Sequence, residues 1–185
     1  MDSFTRFKQH LKSLIASTHR DDKINLGKDV FINTLAGKKL IKINDIVKYI
    51  SSHKESCSTV TILDGAGIND PIFIRGLGHC SIGKYSSIGQ EIKIITSNHT
   101  MNYVNLQLTL QNNIGCSSIA GKAEEVIIGH ATWIGDRVTF LPGSSVGNGS
   151  IVGAASVVTK KFPPYQIIAG NPAKIIRPRF SQIII

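Results

Sequence analysis

Residues 128–157 read "IGHATW", "IGDRVT", "FLPGSS", "VGNGSI" and "VGAASV", five units of equal length with Val158 opening a sixth. Each unit leads with a large apolar residue: Ile128, Ile134, Phe140, Val146 and Val152. Gly stands second in four of the five, and the fifth place holds Thr132, Val138, Ser144, Ser150 and Ser156, all small or β-branched. An amphipathic helix would repeat at 3.6 residues and an ordinary strand at 2. A beat of six fits short strands joined by tight turns, with Gly, Asn and Asp at backbone angles that other residues resist.

Three such units make one triangular coil of about 18 residues, and stacked coils bring the leading residues into one apolar column. The expected fold is therefore all-β, a parallel β-helix of hexapeptide repeats. The same beat runs through Ile82, Ile88 and Ile94, and through Ile62, Ile68 and Ile74. Ile74 and Ile82 are eight apart, so two extra residues should bulge at a corner within "RGLGH". Ile24, Val30 and Ala36 extend the beat to an earlier coil, and "KKLIKINDIVKYISSHKES" loses it, which predicts imperfect first coils and a projecting segment around 40–58. Phe4, Phe7, Leu11, Leu14 and Ile15 share one face of an N-terminal amphipathic helix, expected to cap the first coil. Near the other end, "KKFPPYQIIAGNPAKIIRPRF" holds four of the six prolines. Prolines end ladder pairing, so the chain is expected to leave the last coil there and run back over it. This divides the chain into a helix and irregular coils at 1–60, a β-helix at 61–168 with a loop protruding at about 96–125, and an extension at 169–185.

Composition narrows the function. The 185 residues are 42% hydrophobic, enough for a substantial core, with no apolar run long enough to span a bilayer. The N-terminus lacks the pattern of a secretory signal, which makes the cytoplasm the expected compartment. Cys57, Cys80 and Cys116 have no metal-ligand spacing and read as free thiols used for packing. A net charge of +9 attracts polyanions. The basic residues are dispersed and no nucleic-acid-binding signature is present, so a phosphate-rich small ligand ranks above nucleic acid.

The order of "WIG", "LPG", "GAASVVTK" and "AGNPAKIIR" in residues 127–179 resembles the hexapeptide-repeat acyltransferases of the xenobiotic, galactoside and maltose acetyltransferase group, over about 75–180. The resemblance implies a left-handed coil, a homotrimer with active sites between subunits, and acetyl-CoA as donor. It also implies an excursion from one coil that bears a catalytic His. Residues 96–125 are the stretch that qualifies between the two regular blocks, and their histidine is His99. An acceptor hydroxyl holds its proton too tightly to attack a thioester at neutral pH. A neutral imidazole can take that proton as the bond forms. Glu91, Glu124 and Glu125 are candidates to orient the ring, and Asn98 to bind the acceptor or position the base.

Further roles carried by the resemblance are Trp133 in "TWIG" beside the pantetheine and the acceptor, and Gly135, Gly153 and Ala154 where backbone approaches the pantetheine arm. Lys160, Lys174 and Arg177 fall at basic positions near the phosphates, with Pro172 shaping the adenine end. Met101 to Val104, Tyr103 among them, are expected to face the acceptor. Here the "HP" that galactoside and maltose enzymes carry at the catalytic His is replaced by "HT". Together with the basic surface, this points to an acidic or extended glycan, as in bacterial capsule and lipopolysaccharide O-acetyltransferases, including those acting on sialic acid polymers. An amino-sugar N-acetyltransferase, an antibiotic acetyltransferase and a non-catalytic scaffold are the alternatives. His79 and His130 suggest the zinc-dependent γ-class carbonic anhydrases, but the His pair five apart of that class is missing, and no metal is expected.

Overall fold

A computed structural model describes residues 59–69, 71–99 and 122–181, positions 101, 107, 110 and 113, and the backbone of three early strands. The chain winds as a parallel β-solenoid of about five turns, its strands stacked into three sheets. The first sheet stacks β1 (Lys23–Leu26), β4 (Thr59–Ile62), β7 (His79–Ile82), β10 (Val126–Ile128), β13 (Ser145–Val146) and β16 (Lys161–Phe162). The second stacks β2 (Val30–Asn33), β5 (Gly67–Asn69), β8 (Ser87–Ile88), β11 (Trp133–Ile134), β14 (Ile151–Val152) and β17 (Gln166–Ala169), with β3 (Ile41–Ile43) and β18 (Lys174–Pro178) antiparallel at its two ends. The third stacks β6 (Ile72–Arg75), β9 (Ile92–Ile95), β12 (Thr139–Phe140) and β15 (Val157–Val158).

The leading residues of the repeat do form the core. Ile82, Ile128 and Val146 lie in register on the first sheet, Ile88, Ile134 and Val152 on the second, and Ile94, Phe140 and Val158 on the third. All are buried, and each such Ile contributes roughly 1.5–3 kcal/mol through removal from water. The small fifth position is also buried, so its hydroxyls need partners. Ser144 and Ser156 donate to Leu141 O and Gly153 O at 2.6 Å, while Ser150 and Ser156 Oγ accept from Gln166 N and Gly170 N of the next coil. Tight corners use left-handed backbone: Gly65, Tyr85, Ala131, Gly149 and Tyr165 recur in successive coils with φ of 68, 56, 51, 65 and 58°. A Cβ on Gly149 would fall 2.5 Å from the Tyr165 ring, so this glycine answers to both its conformation and its neighbour.

Two corners never vary. From the first sheet to the second, and from the second to the third, the core residues stay six apart in every described coil. All departures fall at the remaining edge, where the third sheet passes to the first. There Ile74 and Ile82 are eight apart, Ile94 and Ile128 34, Phe140 and Val146 six, and Val158 and Phe162 four. One edge of the prism therefore carries the bulge and the excursion.

Two expectations are corrected. In the earliest coil Leu26 pairs with Ile62 and Ile32 with Ile68, so the beat runs through Leu26 and Ile32 and not through Ile24 and Val30. Nor do the prolines end the ladder. Pro163 and Pro164 occupy a corner, and β16 and β17 on either side still pair in parallel with the coil beneath. The chain turns back only after Ala169, as β18. The expected N-terminal helix, Ala36, residues 44–58, Cys57, Cys116 and Tyr103 lie outside the described residues. Cys80 is buried in the core.

Phe140 is fully buried in that column. Phe140→Ala should lower the unfolding free energy by about 3–5 kcal/mol, read as a shifted urea midpoint with unchanged slope.

Candidate active site

His99 lies three residues beyond the fully buried Thr96, on the outgoing strand of the excursion, where it and Asn98 are exposed. The neck is closed by an antiparallel bridge between Ser97 and Ala123 and by the Glu124 N–H donating to Thr96 O at 2.8 Å. Its start and end coincide with the end of β9 and the beginning of β10. Met101 stands 84% exposed.

The candidate orienting carboxylates are not drawn to the imidazole. Glu91 sits at the corner between the second and third sheets, in left-handed conformation, a strand away from the neck. The Glu124 carboxylate rests against Gly143 of the following corner. Glu125 is exposed just ahead of β10. Among the described residues no carboxylate pairs with His99.

Trp133 opens β11 on the second sheet, between Ser87 below and Ile151 above, and is 60% exposed. Below Ser87 in the same row comes Gly67, whose Cβ direction is open space. The exposed Trp133 thus shares its row with the small residues Ser87 and Gly67. Gly135 and Gly153 follow at the next corner: a Cβ on Gly135 would fall 2.7 Å from Ala154 N, and one on Gly153 3.1 Å from Ala169 Cβ. Coil spacing itself demands these glycines, whatever else approaches them. Lys174 and Arg177 are exposed near opposite ends of β18, paired across from Ala169 and Ile167, and Pro172 lies in the turn ahead of them. Lys160 is exposed at the variable edge, its Nζ 5.6 Å from the Phe162 ring centroid.

The sequence-derived residues therefore fall into two sets. Asn98, His99 and Lys160 belong to the variable edge. Trp133, Gly135, Gly153, Ala154, Pro172, Lys174 and Arg177 belong to the second sheet and its corner with the third. In a three-sided coil that sheet faces away from the edge joining the other two.

His130 and His79 have other surroundings. His130 Nδ1 accepts from Lys84 N at 2.9 Å, and the His130 backbone N–H donates to Asn148 Oδ1 at 2.8 Å, so the ring bonds to the coil below while the backbone bonds to the coil above. His79 is exposed in β7. No group of three His, Cys, Asp or Glu side chains among the described residues is placed to hold a metal ion. Beside His130, Asp64 lies 2.9 Å from Lys84 Nζ and raises that ammonium above its usual range, first by the hydrogen bond and then by charge. No helix among the described residues is long and apolar enough to cross a membrane.

The family model for the bacterial transferase hexapeptide (six repeats) matches residues 125–160. WbbJ of Escherichia coli, named for O-acetyl transfer in lipopolysaccharide biosynthesis, is 35% identical over 114 residues, covering 62% of this chain and 58% of its own. A Lysinibacillus sphaericus protein named for macrolide acetyl transfer is 36% identical over 108 residues, covering 54% and 60%. The chain thus spans less than two thirds of these relatives. A hexapeptide-repeat acetyltransferase of Vibrio cholerae, crystallised with acetyl coenzyme A, superposes with a TM-score of 0.56 at 25% identity, covering 66% of this chain and 61% of that one.

The His130 bonding fixes its neutral tautomer with the proton on Nε2, because Nδ1 is already an acceptor. Nitrogen-15 shifts of the imidazole should report that tautomer near pH 8, and a proton found on Nδ1 would contradict the coil-to-coil bond.

Proposed function

We propose that the chain is a cytoplasmic acetyltransferase that moves acetyl from acetyl-CoA to a sugar hydroxyl of a bacterial cell-surface polysaccharide, capsule or lipopolysaccharide, with His99 as general base. The observation that carries the reading is the excursion itself: a regular solenoid is interrupted at one edge by a hydrogen-bonded neck that presents an exposed imidazole. The polysaccharide acceptor is favoured by the similarity to WbbJ, named for lipopolysaccharide biosynthesis. Acetyl-CoA is favoured by the Vibrio cholerae structure that holds it.

In this reading His99 Nε2 takes the acceptor proton while the oxygen attacks the thioester carbonyl. Backbone N–H groups of the tight corners stabilise the oxyanion. Collapse breaks the carbon–sulfur bond, releases CoA and leaves the acetyl on oxygen. The proton held by His99 passes to the departing sulfur, which returns the base to its neutral state. Trp133 walls the pantetheine and acceptor, while Lys160, Lys174 and Arg177 meet the phosphates, Lys as a point charge and Arg as a fork. Gly135, Gly153 and Ala154 let the pantetheine approach the corner, with Pro172 at the adenine end. Asn98 and Tyr103 face the acceptor.

A site that uses both His99 and Trp133 has to draw them from two copies, since edge and sheet face apart in one chain. A closed ring of three copies places each edge against a neighbour's sheet. Similarity to the macrolide-named relative gives a second reading, a small antibiotic acceptor.

The test is thiol release from acetyl-CoA with lipopolysaccharide, sialic acid polymers, maltose, glucosamine and a macrolide, followed by mass analysis of the product linkage. The proposal expects an ester on a polysaccharide. Amide formation, or turnover of the macrolide alone, overturns the acceptor class, and neither turnover nor CoA binding leaves a scaffold. His99→Ala should lower turnover about 10²–10⁴-fold with CoA affinity nearly intact. Lys174→Gln with Arg177→Gln should instead weaken CoA binding and flatten its salt dependence, read by calorimetry at two ionic strengths.

A further inference from the structure

The two irregularities of the variable edge are stacked on one another. The bulge at 76–78 belongs to the coil directly beneath the excursion, and two of its N–H groups are taken by the excursion's first two side chains. Gly78 N donates to Thr96 Oγ1 at 3.0 Å and Leu77 N to Ser97 Oγ at 3.2 Å. Thr96 also donates twice to Arg75 O, from N at 2.9 Å and from Oγ1 at 3.1 Å. Its hydroxyl is therefore both donor and acceptor, in a side chain with no exposed surface.

The glycines of the bulge are shaped to receive both strands of the neck. Gly76 has φ 113°, and a Cβ there would fall 2.6 Å from Ser97 N and Thr96 Oγ1, on the outgoing strand. A Cβ on Gly78 would fall 2.8 Å from Glu124 N, on the returning strand. Any larger residue at either position would lift the neck. Three bonds thus tie Thr96 to the coil beneath and one ties Ser97 to it, while His99, two residues further on, has no described partner of its own.

We infer that Thr96 and Ser97 are positioning residues for His99, and that the bulge at 76–78 is the seat through which they act. The inference rests on His99 being the base. The seat fixes where the chain leaves the solenoid and hence where the imidazole stands, since no carboxylate among the described residues orients the ring. A base displaced by about 1 Å can cost on the order of 100-fold in rate.

Thr96→Val keeps the side-chain shape and removes the hydroxyl, Thr96→Ser restores the hydroxyl, and Ser97→Ala removes the Leu77 bond alone. Each is assayed in wild-type and His99→Ala backgrounds by thiol release from acetyl-CoA, with the best glycan of the panel or with water as acceptor. Expected are a kcat about 100-fold lower for Thr96→Val with KM for acetyl-CoA within about twofold, and recovery by Thr96→Ser to within about threefold. In the His99→Ala background Thr96→Val should add no further loss, because it acts only through the imidazole. A Thr96→Val rate near wild type, or an equal loss in both backgrounds, overturns the seat. Should Thr96→Val fail to fold, Ser97→Ala decides: an about tenfold lower kcat supports the seat and an unchanged one overturns it. His99→Ala at wild-type turnover removes the base assignment and the seat together, whereas His99→Ala inactive beside an active Thr96→Val removes the seat alone.

Discussion

Every coil of this chain must hydrogen-bond to the coil above and the coil below, and that requirement governs the rest. Buried N–H and C=O groups need partners, and in a parallel stack each partner lies one coil away, at the matching residue. Gly83 N donates to Ile128 O, Gly129 N to Val146 O and Gly147 N to Phe162 O, an unbroken relay up one corner. A residue inserted into such a corner would put every later strand out of step. The corners from the first to the second sheet and from the second to the third are fixed at six for this reason. At the third corner the relay is looser, and a coil can leave and return provided it comes back in register. Val126 does so over Cys80, and Ile128 over Ile82.

The regular part of this architecture was legible because its positions tolerate few residue types. A column position must be large and apolar, and the place four residues later must be small, with a hydroxyl wherever a carbonyl or the next coil's N–H needs it. Ser150 and Ser156 satisfy both conditions. Phase was less legible in the first coil. Ile24 and Leu26 are two apart, so both suit the same side of a strand, and pairing of Leu26 with Ile62 decides between them. The prolines misled for a related reason. Pro163 and Pro164 lack an N–H, but at that corner a carbonyl meets the coil beneath: Ser150 Oγ donates to Pro163 O.

The components of the candidate site could be named from the sequence, and their arrangement could not. His99 stands out because it falls where the count stops, and Trp133 because it is the only tryptophan. The seat beneath the neck was visible only as two surplus residues between Ile74 and Ile82. Its partners, Thr96 and Ser97, lie about twenty residues downstream, and nothing local connects them. The coil repeat makes the connection, because one full turn brings the bulge under the neck. Nearness in sequence is no guide here either: Glu91 is close to His99 in number but lies across a full strand at another corner.

The same winding explains why the proposed site is divided. A three-sided solenoid is stiff along its axis and cannot fold an edge onto the opposite sheet, so one chain cannot close a pocket between its own His99 and its own Trp133. What it can do is offer each piece at a fixed height. Trp133 is held by pairs above and below, and Thr96 by bonds to the coil beneath. A neighbouring copy in register then needs one rigid placement to bring base and indole together, with little further ordering of either chain. In the proposed transfer, coil count on one chain sets the height of each piece, and the placement of a second copy sets the distance between them.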